Sequence, residues 1–146
     1  MKRMIFLLAI VALTLTACGG SNAAPTLVPT SVPLPVITMD VEHMVNPMLA
    51  YEIPAGEGFT LDATSYSFGP TGGPSMIQVV MDGREFTGTW TPGGSVQTVR
   101  AASLLPPAGF KPLTGFPAGK QLIIAVGQMS DKGRFEPLWV AVVNVI

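Results

Sequence analysis

Proline and glycine interrupt this chain so often that long helices have no room to form. Its 146 residues include 14 Pro and 16 Gly, and beyond the first 18 residues they break any candidate helix before ten or twelve residues accumulate. Proline inside a helix removes a backbone donor and clashes with the preceding turn. Strands, being shorter, fit between such breaks, and the intervening segments carry strand patterns. Val36-Ile37-Thr38-Met39-Asp40-Val41 alternates loosely, while Glu57 to Thr64 sets Phe59, Leu61 and Ala63 on one face against Thr60, Asp62 and Thr64 on the other. Met76 to Met81 and Arg84 to Trp90 flank Asp82-Gly83, a pair that supplies the positive φ angles of a type I′ hairpin turn. Thr91-Pro92-Gly93-Gly94 makes the next turn, and Ser95 to Ala101 the next strand. A long Pro- and Gly-rich loop from Leu104 to Gly119 leads to Lys120 to Met129, and Ser130-Asp131-Lys132-Gly133 turns the chain into Arg134 to Val145. Seven or eight strands in about 110 residues predict an all-β fold, an antiparallel β-sandwich.

The first 17 residues have a different character. Lys2 and Arg3 form a small basic region, and Met4 to Leu15 is apolar without a charge. A stretch this short falls below the roughly 20 residues of a permanent membrane helix. Basic start, short apolar core and small residues before a cut are the parts of a secretory signal peptide. Leu15-Thr16-Ala17-Cys18 resembles the lipobox of bacterial lipoproteins. The resemblance implies that the Cys18 thiol is acylated with diacylglycerol, palmitate being a typical acyl group, and that residues 1–17 are cleaved. Cys18 is the sole cysteine of the chain, so no intramolecular disulfide competes for it. A diacylated anchor contributes about 0.8 kcal/mol per buried CH₂ and outlasts a single acyl chain on a membrane.

Residues 18–35, CGGSNAAPTLVPTSVPLP, have no charge and no aromatic side chain. Too little apolar surface is on offer there to offset ordering entropy, and the prolines favour polyproline II, so a tether is expected. In that conformation it would reach roughly 50 Å at about 3.1 Å per residue. Residues 36–146 are then one domain, of common size. Cleavage would take Lys2 and Arg3 away and leave six basic residues against nine acids, a formal charge of −3. No basic run remains, which argues against nucleic acid as a partner. The expected location is the extracytoplasmic face of a cell membrane, with an envelope protein or polysaccharide as partner.

Ile53-Pro54-Ala55-Gly56-Glu57 with Phe59 to Ser65 resembles the early strands of immunoglobulin-like domains of the polycystic-kidney-disease repeat type. Phe116-Pro117-Ala118-Gly119-Lys120, running through Ile123 to Gly127 and on to Val140 to Val145, is similar to their closing hairpin. Ser65-Tyr66-Ser67-Phe68-Gly69 lacks the acidic turn of that repeat. The resemblance implies an Ig-like sandwich and a spacer, adhesion or binding role, without naming a ligand.

Copper is the rival chemistry. His43 lies among Met39, Met44 and Met48, and thioether with imidazole ligands suits soft copper. The stretch before Ile53-Pro54-Ala55-Gly56 is also similar to the opening of a cupredoxin, but a blue-copper centre takes two imidazoles and a thiolate. One histidine and one cysteine, the latter assigned to lipid, leave only a Met-rich site, against which stands the use of methionines to fill core gaps. A hydrolytic triad or a catalytic zinc likewise asks for more bases or ligands than one histidine provides. No cofactor and no catalytic residue are therefore expected. Trp90 and Trp139 read as core, His43 as a surface or loop residue, and Phe110 and Phe116 in the long loop as candidates for an exposed binding surface.

Overall fold

A computed structural model describes residues 31–70 and 72–146. The expected signal peptide, lipobox and tether, as far as residue 30, lie outside the described residues. Residues Pro33–Ile146 form a compact unit. Eight strands dominate it: β1 (Val36–Thr38), β2 (Tyr51–Ile53), β3 (Gly58–Asp62), β4 (Met76–Met81), β5 (Arg84–Thr89), β6 (Val96–Arg100), β7 (Gln121–Met129) and β8 (Phe135–Val145). They form a three-stranded sheet of order β1-β3-β6 and a five-stranded sheet of order β2-β8-β7-β4-β5. The result is the expected all-β sandwich. No helix among the described residues is long and apolar enough to cross a membrane.

Alternation puts one row of each strand into the space between the sheets. Ile77, Val79 and Met81 of β4 meet Leu122, Ile124 and Val126 of β7, Trp139, Ala141, Val143 and Val145 of β8, and Phe59 and Leu61 of β3. Burying each large aliphatic or aromatic side chain contributes about 1.5–3 kcal/mol. The Asp82-Gly83 hairpin forms as the dipeptide predicts, with φ of 52° and 72° at its two central residues and Met81 opposite Arg84. At Val126/Gly127 the β7–β8 register slips by a bulge. Only glycine fits there, because a Cβ on Gly127 would lie 2.2 Å from the carbonyl oxygen of Glu136.

Three features differ from the sequence reading. Two strand pairs are parallel, β1 with β3 and β2 with β8, so the sheets are mixed. Hairpins alone cannot place strands that way. The chain crosses from one sheet to the other between β1 and β2, and each short strand adds to a sheet edge. The first strand stops at Thr38, not Val41, and gives way to a one-turn helix α1 (Val41–Val45) in a domain read as strands throughout. Asp40 causes the change: extended itself, its carboxylate accepts the His43 backbone N–H at 2.8 Å and caps the turn. Thirdly, Tyr51–Ile53 is a strand of only three residues ahead of Pro54, too short for alternation to reveal.

Candidate functional site

Two places gather the residues singled out by sequence. The first is built on the crossover between the sheets. Asp40 accepts from the His43 ring nitrogen Nδ1 at 2.8 Å and from the Tyr51 hydroxyl at 3.0 Å. The His43 and Tyr51 rings stack with centroids 3.7 Å apart, 12° from parallel. Trp139, fully buried in β8, donates its indole N–H to the Asp40 carbonyl at 2.9 Å. The same Tyr51 proton is shared with the Thr38 carbonyl, 2.6 Å from the hydroxyl oxygen. Partial burial pushes the Asp40 carboxyl up, but the hydrogen bonds from His43 and Tyr51 outweigh it and hold the group below its ordinary 3.8. Desolvation, then the carboxylate acceptor beside it, pushes the Tyr51 phenol well above its ordinary value. His43 is half-buried and held by Asp40 and Tyr51, where the sequence reading gave a surface or loop residue.

The four residues of the copper alternative occupy different surroundings. Met39 is buried in the core at 1% exposure. Met44 packs against the core, and its sulfur accepts the Tyr66 hydroxyl at 3.3 Å. Met48 is 91% exposed, and His43 commits Nδ1 to Asp40. Met39 and Met44 act as packing: alternation along the chain turns Met39 inward, while the one-turn helix sets Met44 on Tyr66. Among the described residues, no three His, Cys, Asp or Glu side chains are grouped to hold a metal.

The second place is the long loop before β7. It folds back on the start of β3 through an antiparallel bridge, with Gly56 N–H donating to the Phe116 carbonyl at 3.2 Å and Phe116 N–H to the Gly56 carbonyl at 2.8 Å. That bridge carries the Phe116 ring inward, to 2% exposure and 5.4 Å from the Phe59 centroid. Phe116 is core, which corrects its reading as an exposed binding residue. Phe110 does stand out, 45% exposed, with the Arg84 guanidinium 4.4 Å from its ring centroid. Beside the bridge lies an open groove of about 490 Å³, lined by Gly56, Glu57, Met81, Leu113, Thr114 and Phe116 together with loop residues 112, 115 and 117. Its surface is mainly apolar, with Glu57 and Thr114 at hand. Leu113 and Thr114 carry no binding signal in the sequence, where Pro112-Leu113-Thr114-Gly115 only resembles a sortase signal that its internal position discards, because nothing in a Pro-Gly loop announces which stretch folds back.

Trp90 and Trp139 are core, as read. Trp90 donates its indole N–H to the Gly94 carbonyl at 3.1 Å and so ties the turn that precedes β6. Comparisons with protein-family models, with curated proteins and with solved structures find no match to this chain.

Proposed function

We propose that this protein is an extracytoplasmic lipoprotein, anchored through a diacylglyceryl-modified Cys18, whose Ig-like sandwich serves as a non-catalytic binding or spacer module at the cell envelope. The observation that carries the reading is the order of the N-terminus: a basic start, twelve uncharged residues and Leu15-Thr16-Ala17 directly before the sole cysteine. A charge-free, proline-rich segment then separates that cysteine from the compact unit. Within this reading, the groove beside the Gly56–Phe116 bridge, with Phe110 on the same loop, is the surface offered to an envelope protein or polysaccharide.

The test has two arms. Globomycin should make expressing cells accumulate the uncleaved precursor, and labelled palmitate should enter the wild-type chain but not Cys18→Ser. Normal maturation under globomycin refutes the anchor. Titration of the ¹⁵N-labelled domain with a peptidoglycan digest and with detergent-extracted envelope protein should shift the amides of residues 110–116 first. Shifts confined to other surfaces would show that the groove is not the binding surface.

A further inference from the structure

The open edge of the three-stranded sheet carries an inference that goes beyond the anchor and the groove. In β6 the hydrogen-bond alternation is set by its ends: Ala101 N–H donates to the Glu57 carbonyl at 2.8 Å, and Ala63 N–H donates to the Ser95 carbonyl at 2.7 Å. Ser95, Gln97, Val99 and Ala101 therefore turn their backbone groups toward β3, and Val96, Thr98 and Arg100 turn theirs away from it. No backbone group among the described residues pairs with those three.

The other edges are managed differently. Thr87 of β5 exchanges both its backbone bonds with Leu105, at 3.0 and 2.7 Å, so the loop covers that strand. β1 and β2 have three residues each and adjoin Pro35 and Pro54. β6 has five, with no proline and no bulge. The side-chain amide of Gln97 reaches the Thr98 carbonyl at 3.3 Å, a long bond that a backbone donor can replace. Long open edges are templates for pairing.

We propose that β6 pairs with β6 of a second copy of this chain, antiparallel about a two-fold axis at Thr98, joining two three-stranded sheets into one of six strands. The register follows from the outward groups. Thr98 faces its own counterpart and exchanges both bonds with it, while Val96 faces Arg100 of the partner subunit and does the same. All three outward pairs are used, and none is left over. Side chains agree with this register. Val96, Thr98 and Arg100 are exposed on the outer face, and half-buried Asp62, which lies opposite Val96 within one chain, shares that face. The pairing therefore puts Arg100 in the same row as Asp62 of the partner subunit, two strands and about 10 Å away along the row. An arginine side chain can lie across the intervening valine toward that carboxylate, twice by symmetry. Within its own chain Arg100 meets only the exposed Glu57, at 3.3 Å. No like charges face each other, and the Thr–Thr pair at the centre is favourable.

Sedimentation velocity on residues 33–146, the compact unit that holds the described core, tests this between roughly 10 µM and 1 mM, concentrations that bracket those of tethered pairs. Dimer should appear with rising concentration. Thr98→Pro removes the central outward donor without touching the ladder to β3, and should leave a monomer with an unchanged circular dichroism spectrum. Should that variant misfold, Arg100→Glu supplies the same test: it should weaken dimerisation roughly tenfold or more through like-charge juxtaposition, and adding Asp62→Arg should restore it. A chain that stays monomeric at 1 mM overturns the proposal, even if another protein's peptide occupies the edge. A dimer indifferent to both Thr98→Pro and Arg100→Glu overturns it as well.

Discussion

Asp40→Ala removes the side chain on which the crossover between the sheets converges. Two donors lose their acceptor, the His43 backbone N–H at the first turn of α1 and the His43 ring, and the Tyr51 hydroxyl loses one of two. The cap alone accounts for about 1 kcal/mol. Tyr51 keeps the Thr38 carbonyl at 2.6 Å, so its hydroxyl is not orphaned and adds little. His43 is half-buried and loses a charge-assisted bond, which adds about another 1 kcal/mol. The expected loss is therefore about 2 kcal/mol at pH 7, or roughly 8 °C in Tm for a domain of this size. Its pH dependence follows from linkage. The Asp40 carboxyl is held below 3.8 in the folded state, so its contribution is present above the unfolded value and lost as the pH falls through the folded one. Urea unfolding of wild type and variant at pH 7 and in acid should thus give a difference that shrinks as the pH falls. Equal differences at the two pH values would show that Asp40 acts through shape alone. A loss under about 0.3 kcal/mol at pH 7, inside the error of such measurements, would show that the cluster does not fasten the crossover.

The two phenylalanines of the long loop should behave oppositely. Phe116→Ala opens a cavity beside Phe59 and should cost about 3–4 kcal/mol in chemical denaturation. Phe110→Ala, at an exposed site, should cost under about 1 kcal/mol in the same measurement. Gly127→Ala forces a Cβ against the Glu136 carbonyl and should lower stability by about 2–3 kcal/mol, read as a fall in Tm, with the β7–β8 amides the first to exchange in hydrogen–deuterium measurements.

Much of the sandwich was legible along the chain because its physical causes are local. Met76 to Met81, Asp82-Gly83 and Arg84 onward carry a hairpin in their own residues: alternation chooses the face and positive φ chooses the turn. Lys120 to Met129 and Arg134 to Val145 match β7 and β8 to within a residue, since a long apolar run between turns has few other options. The candidate site was less legible. Phe110 and Phe116 stand six residues apart in the same loop with the same side chain, yet one is exposed and the other is core. What separates them is a pair of backbone bonds to Gly56, 60 residues earlier, which leave no local trace.

By itself, then, the sequence determined the class of fold, the hairpin turn and the inward row of each long strand, and it carries the basic start, apolar run and sole cysteine on which the proposed anchor rests. Those depend on neighbours a few residues away. Only the tertiary structure decided that β1 and β2 run parallel to β3 and β8, that Asp40 ends a strand and starts a helix, and that His43 is fastened while the methionines disperse. It also decided that β6 is the edge left open. The physical reason is that edge and register are properties of pairs. Val96 to Arg100 reads as a strand in any sheet, and whether its outward backbone groups find a partner depends on the strands packed elsewhere in the fold.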